Sequence, residues 1–295
     1  MTVGSIISGG FRLIREHPGA VAVWALLYLV VTVGMTFIMR PVFGGALDGG
    51  RPAAADLSAM MGVILLFQLF SMLLLVALLA ASQRAVLDPE RQGFAFLRFG
   101  LDELRLIGLT IVFAIVFYVG MIVAIILMTL VTGLAVVAGG PVVAIPLAVI
   151  EMLAMFGVVI WLQVRLSLAF PLTLMRDRIV IGEAWRLTRS RFWTLFLAYL
   201  VISLLLLVVW IAAALLTNGS YLAELARSGF DPQAIEAAGE RQMAKYLGAI
   251  TLANVIGWVV TAAAAAFGIA LFGGAVATAA LELTEDVDVL AETFA

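Results

Sequence analysis

Cysteine is absent from the 295 residues, which excludes disulfides, cysteine-ligated zinc, iron–sulfur clusters and thiol nucleophiles. Histidine occurs once, as His17, so a histidine-rich metal site is excluded as well. Charge is also scarce, because charged residues make up 12% of the chain and the net charge is −2. So little positive charge offers no basic field for phosphates, and a nucleic-acid-binding protein is therefore not expected.

Apolar residues take the place of the missing charge. They make up 64% of the chain, and the mean hydropathy is +1.18. A soluble domain is roughly 45–50% apolar and about 25% charged, because it must cover its core with a polar surface. The composition therefore predicts an integral membrane protein.

Six apolar stretches are long enough to cross a membrane as helices, since about 20 residues span about 30 Å of hydrocarbon. They lie near residues 20–39, 59–82, 193–216 and 247–280, and two lie between Arg105 and Arg165. The turn signal Ala-Gly-Gly-Pro at 138–141 separates these two. If the region 133–146 is instead re-entrant, the count becomes five or seven. The sequence predicts an all-α polytopic membrane helix bundle with six transmembrane helices.

Basic residues are distributed unevenly between the two sides that this topology defines. Twelve arginines fall on the side of the termini, whereas four arginines and the single lysine fall on the other side. Because basic flanks remain in the cytoplasm, both termini are predicted to be cytoplasmic. The excess of arginine over lysine, 16 to 1, favours a bacterial source and hence the bacterial inner membrane. The first apolar run has no convincing cleavage site, so we expect it to remain as a span.

Three segments share one layout, in which an apolar residue, an arginine and a short polar stretch precede a span. Arg12, Arg98 and Arg186 mark these segments and lie 86 and 88 residues apart. We expect three similar hairpins in a single membrane domain, each introduced by an interfacial amphipathic helix. The alternative is that arginine simply flanks most spans. The repeat units are predicted at about 10–95, 96–183 and 184–281.

Smaller features add three expectations. Asp231 followed by Pro232 is a helix start, which predicts a helix over about 232–246 in an outer loop. The last span is rich in alanine and glycine, which predicts either a tightly packed central helix or an oligomer interface. The oligomeric state stays open. The acidic tail 282–295 is expected to fray in the cytoplasm, and docking on the basic cytoplasmic face or on a partner is the alternative.

The most distinctive motif follows the fourth span. It reads Phe-Pro-Leu-Thr-Leu-Met at 170–175 and Gly-Glu-Ala-Trp-Arg-Leu-Thr-Arg-Ser-Arg-Phe-Trp at 182–193. These residues resemble the membrane domain associated with glycerophosphoryl diester phosphodiesterases and with related six-span bacterial proteins. In that family the membrane domain is sometimes fused to a soluble phosphodiesterase barrel. The resemblance implies a fold and a membrane location, and because this chain has no room for the barrel, it implies no hydrolase activity.

Aromatic and basic side chains alternate within this motif. Indole rings settle at the depth of lipid headgroups, and guanidinium groups bind phosphate. The motif therefore contains a candidate site for lipid headgroups or for another membrane protein. The alternative is that these residues only orient and anchor the fifth span. The candidate residues are Trp185, Arg186, Arg189, Arg191 and Trp193.

Glu151 is the one clear ionisable residue inside a predicted span. Such residues are costly in hydrocarbon and are functional candidates for that reason. One interpretation is a hydrogen-bonded structural residue that packs against a neighbouring helix or lies near the outer interface. The other is a proton- or cation-coupled site that faces a cavity.

The functional expectation follows from what these residues can and cannot do. No nucleophile–histidine–acid set and no phosphate-binding glycine loop is present, so we expect neither an enzyme nor a bound cofactor. The first hypothesis is a non-enzymatic membrane scaffold or accessory subunit that binds lipids or other membrane proteins. The alternative is a transporter that uses Glu151 and the interrupted third-to-fourth connection.

Overall fold

The computed structural model describes residues 1–47, 54–90, 93–98, 100–229 and 231–294. Within these ranges the chain is helical, with one short 3-10 turn at Phe94–Phe96 and no β-strand. The helices are α1 (Val3–Glu16), α2 (Pro18–Leu47), α3 (Ala54–Leu87), α4 (Leu101–Leu166), α5 (Ala169–Arg176), α6 (Ile181–Ser190), α7 (Phe192–Arg227), α8 (Pro232–Leu247) and α9 (Leu252–Phe294).

Five helical stretches of the described chain are long and apolar enough to cross a membrane. This result agrees with the predicted all-α membrane protein. The count is five where the sequence predicts six, because the third and fourth predicted spans fall within one stretch that is built around α4. The stretches are Pro18–Ile38, Met61–Leu87, Phe94–Arg176, Phe192–Arg227 and Leu252–Glu285.

The long helix α4 has 66 residues and is broken at Gly140. Gly140 has φ +67° and ψ −166°, a backbone conformation that is nearly exclusive to glycine. Pro141 follows it, and proline suits the first turn of a helix because it needs no N–H partner there. A straight helix rises about 1.5 Å per residue, so α4 without a break would be about 100 Å long, far more than the hydrocarbon thickness. The predicted interruption at 138–141 is confirmed.

Contacts divide the chain into two compact units. In the first unit α4 packs against α5 and α6, around buried side chains such as Leu106, Leu168 and Leu172. In the second unit α2 contacts α3, α8 and the 3-10 turn. The first unit comprises Met1–Ile6, Phe99–Tyr199 and Val276–Ala295, and the second comprises Ile7–Arg98 and Leu200–Ala275.

The segment before α4 corrects one expectation. An amphipathic helix is predicted near Arg98, but the described residues between α3 and α4 form only the 3-10 turn. Ala95 and Phe96 in this turn have positive φ values of 51° and 58°. The fully buried Trp24 holds the turn in place, because its indole N–H donates to the carbonyl of Ala95 at 3.0 Å. Pro89, near the end of α3, disfavours a continuous helix here.

The last helix, α9, buries a larger share of its apolar window than the other four candidate spans. Its small residues explain how: Gly274 lies against Gly10 of α1, and Gly273 lies against Ser82 of α3. A β-carbon at Gly273 would collide with the side chain of Ser82, and one at Gly274 would lie only 3.0 Å from the α-carbon of Gly10. The prediction of a tightly packed helix is confirmed, since small residues allow helix backbones to approach closely.

Two further predictions concern the ends of helices. The predicted cap is confirmed, because a carboxylate oxygen of Asp231 accepts from the backbone N–H of Ala234 at 3.1 Å and α8 begins at Pro232. The backbone of the predicted acidic tail is helical, since α9 continues to Phe294. Glu282 anchors this extension, because its carboxylate accepts from the hydroxyl of Ser5 at 2.8 Å and lies 3.7 Å from the N-terminal amine.

Candidate functional site

The short helix α6 contains most of the aromatic–arginine motif. Its inner side is formed by Ala184 and Thr188, which are fully buried. The hydroxyl of Thr188 lies 3.1 Å from the carbonyl oxygen of Arg165 and 2.9 Å from that of Ala184. A hydroxyl has a single proton, so the hydroxyl of Thr188 donates to one of these oxygens or shares its proton between them. Its contact with Arg165 places α6 against the end of α4.

Arg165, near the end of α4, lies among three aromatic rings. Its guanidinium carbon is 5.5 Å from the ring centre of Trp161, 5.4 Å from that of Trp185 and 5.8 Å from that of Phe192. A guanidinium within about 6 Å of a ring centre is attracted by the ring quadrupole. The same group reaches the backbone carbonyl oxygen of Trp185, with a nitrogen–oxygen distance of 3.5 Å. We call Arg165, Trp161, Trp185 and Phe192 the arginine cage.

The arginine cage joins three helices at one point. Trp161 and Arg165 belong to α4, Trp185 belongs to α6, and Phe192 is the first residue of α7. Trp161 and Trp185 also meet edge to face, with ring centres 5.1 Å apart. Edge-to-face pairs of this kind stabilise beyond the area they bury. The cage thus fixes the direction in which α6 and the start of α7 present their other side chains.

Sequence reasoning does not single out Arg165, which it counts only among the twelve arginines of the inner side. The sequence nevertheless contains one indication of this contact. Trp161 precedes Arg165 by four residues, and side chains four residues apart on a helix lie on the same face. The sequence could not identify Trp185 and Phe192 as further aromatic partners, because only the fold brings them next to Arg165.

The five predicted motif residues divide into two groups. Trp185 is half-buried in the arginine cage, whereas Arg186, Arg189 and Arg191 are exposed. Trp193 is 71% exposed and leans edge-on against Phe192, with ring centres 5.4 Å apart. The exposed members of the motif, Arg186, Arg189, Arg191 and Trp193, form what we call the α6 basic face.

Acidic residues close to this face are engaged by other arginines. Glu183 of α6 pairs with Arg176 at 3.2 Å. Asp177 lies 3.4 Å from a guanidinium nitrogen of Arg105. Within the described part of the chain, neither Arg186 nor Arg189 has a carboxylate partner. Arg186 and Arg189 therefore carry positive charge that these two carboxylates do not neutralise.

Glu151 lies on the second half of α4, after the break at Gly140. Its carboxylate accepts a hydrogen bond of 2.8 Å from the hydroxyl of Thr132, which lies 19 positions earlier on the first half. In a straight helix these residues would be about 28 Å apart, given about 1.5 Å of rise per residue. The bond therefore requires the two halves of α4 to fold back on each other.

Among the described residues, no group of three His, Cys, Asp or Glu side chains that could hold a metal ion is found. A small cavity of about 140 Å³ lies between α7 and α8 in the second unit, and Glu151 does not line it. Its lining residues are Ser220, Tyr221, Glu224, Ala238, Arg241, Gln242 and Lys245.

Comparison with known proteins adds no family to this description. No protein-family model, no curated protein and no solved structure matches the chain. The resemblance of residues 170–193 to the phosphodiesterase-associated membrane domain therefore stays a prediction.

Proposed function

We propose that this protein is a non-catalytic component of the bacterial inner membrane whose α6 basic face binds anionic lipid headgroups. The observation that carries the proposal is the pair Arg186 and Arg189, exposed and without carboxylate partners, beside the exposed Trp193 at the start of a candidate span. Guanidinium groups can hold a phosphate with two hydrogen bonds, and an indole at this position fixes the depth of the site. The arginine cage supplies the rigid support.

The proposal includes a topology of six spans with both termini in the cytoplasm. The break at Gly140 and the bond between Thr132 and Glu151 support two antiparallel spans within α4. An even number of spans then brings the start of α7 to the side of the termini, where twelve arginines lie. The α6 basic face would meet the inner leaflet, whose anionic lipids attract basic segments.

The proposal also includes a repeat, supported by the positions of two helix breaks. The helix α1 ends at Glu16 and α2 begins at Pro18, while α6 ends at Ser190 and α7 begins at Phe192. Both pairs of positions are 174 residues apart. Gly10 and Ala184, equivalent under this spacing, are both buried, and Arg12 and Arg186 are both exposed. The segment near Arg98 does not follow this pattern, so the support concerns the first and third units.

The experiment measures phosphatidylglycerol binding by the detergent-solubilised protein, using native mass spectrometry. We expect Arg186→Gln, Arg189→Gln and Arg191→Gln together to weaken binding up to about a hundredfold, because each basic residue contributes about 1 kcal/mol near an anionic surface. A matched control neutralises Arg227, Arg241 and Lys245, which lie on the opposite predicted side. Wild-type affinity in the first triple variant, with its topology intact, would leave anchoring as the whole role of these arginines.

A role for Glu151 in transport receives no support from its surroundings. The hydrogen bond from Thr132 favours the structural interpretation, because interhelical hydrogen bonds in membrane proteins commonly stabilise helix pairs. The scaffold hypothesis is therefore the one that the geometry supports best.

A further inference from the structure

The first helix, α1, presents a second pair of exposed arginines. Arg12 and Arg15 are three residues apart and lie on one face, as Arg186 and Arg189 do in α6. Both arginines are exposed, and among the described residues neither has a hydrogen-bond or ion-pair partner. The helix ends one residue later, and α2 begins at Pro18 with a candidate span.

We infer that Arg12 and Arg15 form a second binding site for an anionic phospholipid headgroup. This inference rests on the proposed function of the α6 basic face, because it assigns the same ligand class to α1. Arg12 and Arg15 belong to the second unit, whereas the α6 basic face belongs to the first.

The opposite face of α1 fixes the direction in which these arginines point. Leu13 is buried, and Gly10 packs against the backbone of α9 at Leu271 and Gly274. A β-carbon at Gly10 would collide with the carbonyl oxygen of Leu271, so the helix is held in close backbone contact. Rotation of α1 about its axis would break this packing. Arg12 and Arg15 are therefore held on the exposed side, as preorganised binding groups should be.

The two sites differ in ways that predict their relative affinities. Glu16 of α1 is exposed and lies one turn from Arg12, whereas the equivalent position in α6 is Ser190. The positions equivalent to Arg191 and Trp193 are His17 and Gly19. The α1 site thus has an exposed glutamate where α6 has a serine, one arginine fewer and no exposed indole, and the glutamate of α6, Glu183, is paired with Arg176. Its affinity for an anionic headgroup must be lower than that of the α6 basic face.

The test titrates the full chain in detergent with phosphatidylglycerol and counts bound lipids by native mass spectrometry, with phosphatidylcholine as the control lipid. We expect two lipids of unequal affinity. The pair Arg12→Gln and Arg15→Gln should remove the weaker one, with at least a tenfold loss, and should leave the tighter one. The pair Arg186→Gln and Arg189→Gln should weaken the tighter one. Two undiminished lipids in the first double variant would overturn the inference.

A second variant keeps the inference testable if the α1 double variant fails to fold. Glu16→Ser copies the α6 sequence into α1 and should raise the affinity of the weaker site about fivefold, because it removes one like-charged neighbour of the ligand. An unchanged affinity in this variant would contradict a site on α1. Inorganic phosphate should not compete at millimolar concentration, and competition would indicate a site for free phosphate instead of lipid.

The outcomes separate the two claims. If the α6 variants retain wild-type binding, the proposed function fails, whatever α1 does. If the α6 variants lose binding and the α1 variants do not, the proposed function stands and the second site is wrong.

Discussion

Replacing Arg165 by glutamine should loosen α6 from the rest of the first unit. The change removes three contacts between a guanidinium and an aromatic ring, at 5.4 to 5.8 Å. Each contact of this kind contributes about 0.5–1 kcal/mol when the cation is partly exposed, and such contributions are not fully additive. We therefore expect the free energy of unfolding to fall by about 1–3 kcal/mol.

Lysine at position 165 provides an intermediate case. Arg165→Lys keeps the positive charge but lacks the planar group that stacks on rings, so it should retain part of the stabilisation. Arg178→Gln is the matched control, because Arg178 is exposed, precedes α6 and has no aromatic contact in the described structure. It should leave the free energy of unfolding unchanged within about 0.5 kcal/mol.

Two measurements report on the arginine cage. Unfolding of the detergent-solubilised protein gives the stability, and tryptophan fluorescence reports the surroundings of Trp161 and Trp185. The affinity for phosphatidylglycerol should also fall in Arg165→Gln, although Arg165 does not itself face the lipid, because α6 would no longer be held in one orientation. Wild-type stability and fluorescence in Arg165→Gln would refute the argument that the cage positions α6.

Two further predictions concern the break in α4. Gly140→Ala should lower the free energy of unfolding by about 1–3 kcal/mol, because alanine resists a φ of +67°. The control is Gly133→Ala, which lies inside the helix with open space around it and should be neutral or stabilising. Denaturation in detergent compares the two variants. Glu151→Gln should keep the fold and the lipid binding of the protein, since an amide oxygen can still accept from Thr132. Loss of a lipid- or solute-transport activity in reconstituted vesicles, with the fold intact, would instead support the transporter alternative.

The sequence predicts those features of the fold that depend on neighbouring residues. The cap at Asp231 and the interruption at Gly140 follow from local chemistry, and the structure has them. The small residues of α9 predict close packing but not its partners, Gly10 and Ser82. The 3-10 turn at Phe94–Phe96 was not predictable in this way. Its positive φ values are stabilised by Trp24, which lies 71 residues from Ala95.

The candidate site likewise has features that the sequence predicts and features that depend on the fold. Composition and spacing identify the exposed arginines of α6, because charge next to a span is visible in the sequence. The arginine cage is not visible, since Trp161, Trp185 and Phe192 come from three helices. Trp185 is an example: the motif places it among the candidate lipid- or partner-binding residues, and the fold adds its contact with Arg165, against which it is half-buried. A pattern in one segment cannot distinguish two faces of a helix when both carry aromatic and basic residues.

Arginines in this region serve two purposes, and their surroundings decide which. The guanidinium of Arg165 lies 5.4 to 5.8 Å from three aromatic ring centres, and these rings partly compensate its lost hydration. Arg186 and Arg189 remain hydrated and exposed, so they can exchange water for a headgroup at little cost. A bound lipid and the arginine cage would therefore reinforce each other, because a fixed helix loses less conformational entropy when it binds. The cage would raise lipid affinity without contacting the lipid.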